Sequence, residues 1–273
     1  ILAQDLTAGS WNGTFNFNIS LSEFESNCAL FSKDLVYLAP DRVRPGEVHY
    51  SNISSDAADG RIGGKYGMMA ASRLYQALSE DEKLQIPELK FDKSGDMRVT
   101  SNVSAWMSYI MGTKITAKVE KVNSDDLRLT YTMGDVAKEN VFSPLNSAFG
   151  YSYLLPIVTA VLTAKKNGGI LLENPEAHLH PAAQFRLGLF LAVTAEQGIQ
   201  LIIETHSDHL LNGIRVAAKE KKISSDNVSI LYFADSDGYH KAQRIVLDKE
   251  GDLDIWPEGF FDEWEKALDT LIG

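Results

Sequence analysis

Hydrophobic and polar positions change their rhythm partway along this chain. Thr14–Leu21 (TFNFNISL) alternates with the period of two that marks a half-exposed strand. Leu35–Ala39 is a short apolar run stopped by Pro40, and a polar loop is expected from there to Ser55. Tyr66–Leu78 carries helical spacing through Met69, Leu74 and Leu78, and Val103–Met111 is a second predicted helix. Ile115–Val122 and Leu127–Met133 alternate on either side of Asn123-Ser124-Asp125-Asp126, which predicts a hairpin with a four-residue turn.

From Gly150 the apolar positions gather into longer runs. Tyr151–Lys165 reads as a strongly apolar helix, Gly169–Glu173 as a buried strand, and Pro181–Gln197 as a helix with proline in its first turn. Ile199–Glu204 is another buried strand, Asp208–Lys219 a helix that opens on an acid, and Val228–Phe233 and Ala242–Leu247 are further strands. The end, Glu258–Leu271, is expected to be helical after Pro257. Strands alternating with helices predict a parallel α/β sheet centred on Gly150–Phe233, with the earlier half as an antiparallel and helical elaboration.

Composition narrows the classes without choosing a function. The 273 residues suffice for a full core, and 44% hydrophobic with 23% charged residues is ordinary for a globular chain. A formal net charge of -11 disfavours non-specific nucleic-acid binding by the whole surface. Arg42, Arg44, Arg61, Lys65 and Arg73 leave open a local basic patch, so nucleic acid stays an open partner that net charge does not indicate. A single cysteine, Cys28, excludes an intramolecular disulfide framework and suits a reducing compartment. With no apolar run of membrane-spanning length and no signal-like start, the chain is expected to be cytoplasmic, with no membrane partner.

The chemistry concentrates in two segments, ILLENPEAHLHP (Ile170–Pro181) and LIIETHSDHLL (Leu201–Leu211). Each is an apolar strand ending in polar groups: Glu173-Asn174-Pro175-Glu176 in one, Glu204-Thr205-His206-Ser207 in the other. Open α/β sheets place their chemistry beyond the carboxyl ends of parallel strands, so the two ends together predict a site. An apolar strand ending in an acid and then a proline is also what a Walker B element needs. There the first carboxylate holds Mg²⁺ and the next polar position faces the attacking water.

Taken together, these segments resemble the ABC-class ATPases of the OLD-like and SMC-like branch, in the AAA group with a C-terminal domain of unknown function. Leu35–Pro45 (LVYLAPDRVRP) resembles that family's Tyr-Leu-x-Pro-x-Arg segment, and Ser147–Pro156 (SAFGYSYLLP) resembles the segment standing where ABC proteins carry their signature motif. ILLENPEAHLHP resembles the Walker B and D-loop, IETHSDHLL the switch-histidine segment, and WPEGFFDEW (Trp256–Trp264) the ending of the C-terminal domain. The resemblance implies a P-loop-NTPase-type, mostly parallel α/β sheet. It also implies ATP and Mg²⁺ as cofactors, with Glu173 at the metal position, His206 at the γ-phosphate sensor, Gly150 and Ser152 on the face that closes on a partner subunit's ATP, and His180 in the D-loop at the dimer interface. Arg42 and Arg44 beside Pro45 read either as a loop pair or as contacts to phosphate, in ATP or in nucleic acid. A head-to-head dimer that hydrolyses ATP slowly and regulates an effector protein, in DNA maintenance or anti-phage defence, is the implied function.

Two departures qualify that expectation. Asn174 replaces the acid usual before the proline and, as an amide, cannot be a general base; either Glu176 substitutes or hydrolysis is slow. No Gly-x4-Gly-Lys-Ser/Thr spacing occurs, and the nearest cluster, Gly60–Tyr66 (GRIGGKY), reads as a loop opening a helix. In the family the P-loop lies upstream of a segment like Thr14–Leu21, so the chain reads as the later part of a longer protein and is expected to bind ATP poorly alone.

Residues 1–145 are accordingly read as the early part of the head, 146–235 as the ATPase core, and 236–273 as a C-terminal strand and aromatic-rich helix. Two rival functions stay open. His178, His180, His206 and His209 with Glu176 and Asp208 could build a divalent-metal hydrolase, since His-x-His is a ligand spacing. A catalytically silent ATPase-like scaffold is the other. Asp208 is expected to cap its helix, Tyr151, Leu154, Leu155 and Ile157 to be core, and Asp248, Glu250, Asp252 and Asp254 to form a solvated turn. Trp256, Phe260, Phe261 and Trp264 are expected to pack the last helix or dock a partner.

Overall fold

The computed structural model describes residues 35–40, 48–50, 65–92, 95–134, 140–236 and 239–272. The predicted strand Thr14–Leu21, Cys28, Arg42, Arg44, Arg61 and the glycines of Gly60–Gly64 lie outside the described residues.

Three apolar runs build one parallel sheet in the order β1 (Leu35–Leu38), β6 (Gly169–Glu173), β7 (Gln200–Glu204). The register pairs Leu35 with Gly169 and Leu38 with Leu172, then Gly169 with Gln200 and Glu173 with Glu204. Side chains alternate across a strand, so Ile170 and Leu172, both buried, share one face, while Leu171 and Glu173 share the other with Tyr37, Ile202 and Glu204. An apolar sheet thus carries two carboxylates side by side at its C-terminal end.

The elaboration is a four-stranded antiparallel sheet: β2 (Val48–Tyr50), β4 (Asp126–Met133) and β3 (Ile115–Lys121) in order, with β5 (Asn140–Phe142) also on β4. The predicted hairpin is present, with Asp126 drawn into the strand. The expected polar loop to Ser55 is corrected: it contains β2, whose three residues pair with Asp126–Arg128. Helices α1 (Lys65–Ser79) and α2 (Val99–Met111) pack between the two sheets' shared core and each other.

α3 (Phe149–Leu162) is apolar on every side and eleven of its residues are buried, as suits a helix with core all around it. Its Pro156 is buried too, and gives no amide hydrogen to the carbonyl of Ser152 four residues earlier. α4 (Pro181–Glu196) and α5 (Asp208–Lys219) follow β6 and β7 directly and pack on one another. A continuous core joins Leu38, Val103, Met107, Tyr131, Leu154, Ile170, Leu172, Leu187 and Phe190.

The C-terminal part departs from expectation in two places. β8 (Ile230–Ser236) and β9 (Tyr239–Ile245) do not extend the parallel sheet; they form their own antiparallel pair, which packs through Ile230 and Ile245 on Leu189, Leu211 and Ala217. The last helix, α6 (Glu263–Ile272), starts five residues later than the sequence implies. Gly259 at φ 80° and its amide bond to Asp262 Oδ2 (2.8 Å) make a turn of the segment after Pro257. Phe260 is buried there against Tyr232, Trp256 and Phe261, at 4.8–5.4 Å between ring centroids. Trp264 stands apart from that cluster, 69% exposed on α6. The acidic stretch is a turn as read: Asp248 Oδ1 accepts from the amides of Glu250 and Asp252, both at 2.8 Å.

Candidate functional site

The site is assembled from the loops after β6 and β7. Asn174 follows the strand at φ 43°, a left-handed conformation that asparagine tolerates better than most residues. Its amide donates to Glu204 O at 3.0 Å, extending the ladder one bond past the strand. The chain then turns, with Ala177 N donating to Asn174 O and Leu179 N to Glu176 O. His178 is also left-handed, at φ 62°, its ring resting 4.4 Å from that of Tyr153 and 5.7 Å from that of Phe149.

Two helix caps continue the framework. His180 caps α4, its Nδ1 accepting from Ala182 N at 3.3 Å ahead of Pro181. The cap of α5 is Ser207 and not the expected Asp208: Ser207 Oγ accepts from Leu210 N at 3.0 Å, while Asp208 occupies the first helical position and bonds the amide of His209. An acid there favours the helix dipole without closing the first turn. Ser207 Oγ also donates to Gln184 Oε1 at 2.6 Å, and Gln184 Nε2 donates to Leu179 O at 2.8 Å. One side chain on α4 therefore holds both loops.

Of the residues read from sequence, Glu173, Glu176 and His206 come together. Tyr37 donates its hydroxyl to Glu173 Oε1 at 2.9 Å. Burial, and after it this bond to Glu173, pushes the Tyr37 hydroxyl up to about 12, so it remains a proton donor at any working pH. Glu204 has its carboxyl raised above the usual carboxylate range, first by burial and next by the neighbouring Glu173. His206 Nε2 lies 3.8 Å from Glu204 Oε1, its ring 69% exposed. Glu176 turns inward, accepting the main-chain N–H of His206 on Oε1 at 2.8 Å.

Gly150 is packed against the same loop. A Cβ there would fall 3.0 Å from His178 O, 3.2 Å from Leu179 Cδ2 and 3.3 Å from Met111 Cε. Ser152 follows two residues on: its hydroxyl is buried next to the Tyr131 hydroxyl, whose pKa is pushed up by burial. Arg42 lies outside the described residues.

Sequence reasoning passed over Gln184, placed Tyr37 only within a family-like segment, and counted Glu204 among the strand-end carboxylates without a specific role. Tyr37 becomes visible once the parallel register is known, because it then shares a face with Glu173. Gln184 looks like any polar residue in the first turn of a helix.

Among the described residues, no group of three or more His, Cys, Asp and Glu side chains is arranged to hold a metal ion. Two of the four histidines of that rival hydrolase are otherwise engaged, His180 in a cap and His178 on two aromatic rings, while the rings of His206 and His209 are exposed.

A parallel sheet delivering acids and a histidine to its carboxyl end defines the class, an α/β domain with its site beyond the strand ends. The profile of the family described as "AAA domain, putative AbiEii toxin, Type IV TA system" matches residues 75–212, half of the chain, and the chain belongs to that family. Residues 223–271 match a second profile, a "Protein of unknown function (DUF3696)". An AAA domain with a C-terminal domain of unknown function is the arrangement the sequence motifs implied. No curated protein matches the sequence.

Solved structures similar to the chain include SMC ATPase heads. One, from work on ATP-driven dimerisation and DNA-stimulated activation of SMC ATPases, is 17% identical with a TM-score of 0.41, over 64% of this chain and 91% of that one. An SMC head bound to the C-terminal winged-helix domain of ScpA is 15% identical, TM-score 0.43, over 70% and 59%. An SMC head with an extended coiled coil bound to the ScpA C-terminal domain, from Pyrococcus furiosus, is 14% identical, TM-score 0.38, over 64% and 38%. The chain thus spans less than two thirds of the latter two. No helix among the described residues is long and apolar enough to cross a membrane.

Proposed function

We propose that this chain is the catalytic part of an ABC-type ATPase head that binds ATP, hydrolyses it slowly and dimerises on it to regulate an effector. The observation carrying this reading is the placement of Glu173 and the His206 loop at the carboxyl ends of adjacent parallel strands, tied together by Glu176 and Gln184.

The donor set fits Mg²⁺. Glu173 and Glu204 are neighbouring hard oxygen donors, and Mg²⁺ is characteristically held by one or two carboxylates together with substrate phosphates and water. Bound there, the ion would neutralise charge on the phosphates. Tyr37 orients Glu173, and His206, with its ring exposed, is free to donate to a terminal phosphate oxygen. Asn174 supplies no base, which makes turnover slow and suits a switch better than a motor.

His180, with Gly150 packed behind the same loop, is assigned to the face that meets a second subunit, whereas the Ser152 hydroxyl is buried beside Tyr131 and would not reach that face in this conformation. The exposed ring of Phe149 beside them supports an interface. The family's description as a toxin–antitoxin component supports an effector partner and a defence role.

The test is turnover of ATP by the intact protein with Mg²⁺, alongside its molar mass with and without nucleotide. We expect slow turnover, below about 1 s⁻¹ against an enzyme median of roughly 10 s⁻¹, lost in Glu173→Gln and in His206→Ala, and a doubling of mass with ATP. Nucleotide binding without any turnover would instead establish the silent-scaffold reading, which Asn174 favours.

A further inference from the structure

We infer that Glu176 is a positioning residue: its carboxylate holds the main-chain N–H of His206 and so fixes where the histidine side chain starts. This deepens the reading above, on which His206 meets phosphate, although the hydrogen bond itself does not depend on it.

The contact joins residues thirty apart in sequence through a carboxylate and a backbone amide at 2.8 Å. Bonds of this kind to an ionised acceptor are about twice as strong as neutral ones. The His206 N–H stands just before α5, where main-chain donors have no partner inside the helix. Among the described residues the imidazole has no comparable hold: its charged neighbour is Glu204 at 3.8 Å, and the ring is 69% exposed. Its direction is therefore set by its backbone. Glu176 fixes that backbone at His206, and Gln184 fixes the next residue through Ser207 Oγ at 2.6 Å.

The same geometry argues against Glu176 as the general base that Asn174 cannot be. A base must reach the proton it removes. Oε1 is already committed to the His206 amide, and Oε2 is buried with no hydrogen-bond partner among the described residues. The turn at Ala177 and Leu179 holds the Glu176 backbone on the far side of this contact, so its side chain spans the gap between the loops. Glutamine at this position would retain an acceptor oxygen. Aspartate would retain the charge but lose a methylene of reach, and alanine would lose both.

The experiment compares Glu176→Gln, Glu176→Asp and Glu176→Ala in the full chain by two readouts. The first is hydrogen exchange at the His206 amide in nucleotide-free protein, and the second is the kcat and KM for ATP. We expect Glu176→Gln to keep the His206 amide protected and kcat within about threefold, whereas Glu176→Ala and Glu176→Asp expose the amide at least about tenfold and lower kcat by a similar factor with KM little changed. Abolished turnover in Glu176→Gln with the amide still protected would overturn the inference in favour of a base. An unchanged amide in Glu176→Ala would overturn it by removing the contact. Should the wild-type protein show no turnover, the ATPase reading fails on that result alone, and amide exchange still decides the role of Glu176.

Discussion

Gly188 on α4 and Gly213 on α5 meet backbone to backbone where the two helices cross. A Cβ on Gly188 would fall 2.2 Å from Leu210 O and 3.1 Å from Gly213 Cα; one on Gly213 would fall 2.2 Å from Phe185 O and 3.0 Å from Gly188 Cα. The obstructing atoms are main chain, so no rotamer change relieves them and the helices must part. Overpacking of this kind costs about 1–3 kcal/mol, against roughly 1 kcal/mol that alanine regains in a helix. Because the obstructing atoms are main-chain oxygens, the clash belongs at the top of that range, and we expect Gly188→Ala and Gly213→Ala each to lose about 2 kcal/mol net, read as a lower urea midpoint at unchanged slope. The double variant should lose less than the sum, because one separation of the helices relieves both. Since α4 and α5 begin at the two loops of the site, turnover should fall with stability.

Tyr37 tests whether the hydroxyl beside Glu173 belongs to the site. Tyr37→Phe removes one donor from Glu173 Oε1 and nothing else of comparable size. Stability should drop by about 0.5–1.5 kcal/mol, the net worth of one such bond. Loss of a partner that orients a metal-binding carboxylate typically weakens the metal by about 10–100-fold, so the Mg²⁺ concentration for half-maximal turnover should rise by at least about tenfold. An unchanged Mg²⁺ titration would take Tyr37 out of the site.

Glu204 makes a prediction with a definite sign. Burial and the adjacent Glu173 raise its carboxyl above the ordinary 4.5, so the folded protein retains a proton that the unfolded chain has released. Stability then falls as pH rises from 4.5 through the raised value, and is flat beyond it. Glu204→Gln removes this loss. In metal-free protein its melting temperature should exceed wild type at neutral pH, and the difference should shrink as pH is lowered toward 4.5. Mg²⁺ should narrow the gap at neutral pH by offsetting the repulsion between Glu173 and Glu204. A variant that melts below wild type at neutral pH without metal would contradict the assignment.

What the sequence disclosed follows a physical division. β6 and α5 have the bounds read from the sequence, because a continuous apolar run ends abruptly in charge and a small hydroxyl residue precedes the helix. β2 escaped notice since three residues, VHY, have too few positions to show a period, and its strand character comes from pairing with β4. The strands β8 and β9 were visible singly, but that they pair with each other is decided by the surface under Ile230 and Ile245. Pro257 looked like a helix start, yet Gly259 and Asp262 close a turn first. At the site, residue types were legible, whereas the direction of Glu176 and the buried hydroxyl of Ser152 depend on where neighbouring loops lie.

Gly150 separates stability from association. A methyl there would press on His178 O at 3.0 Å, with Leu179 Cδ2 and Met111 Cε at 3.2 and 3.3 Å able to give way. Alanine in the first turn of α3 recovers up to about 1 kcal/mol of helix propensity, so the net change in stability should be small. The carbonyl it displaces belongs to His178, a residue already held in the left-handed region with its ring on Tyr153 and Phe149. Moving it shifts the loop assigned to the subunit interface. Gly150→Ala should therefore unfold within about 1 kcal/mol of wild type while its ATP-dependent doubling of molar mass weakens by at least tenfold, roughly 1.4 kcal/mol. Light scattering across a protein titration measures this. Equal dimerisation by variant and wild type would move the interface away from α3, and a large loss of stability would mean that Gly150 serves packing alone.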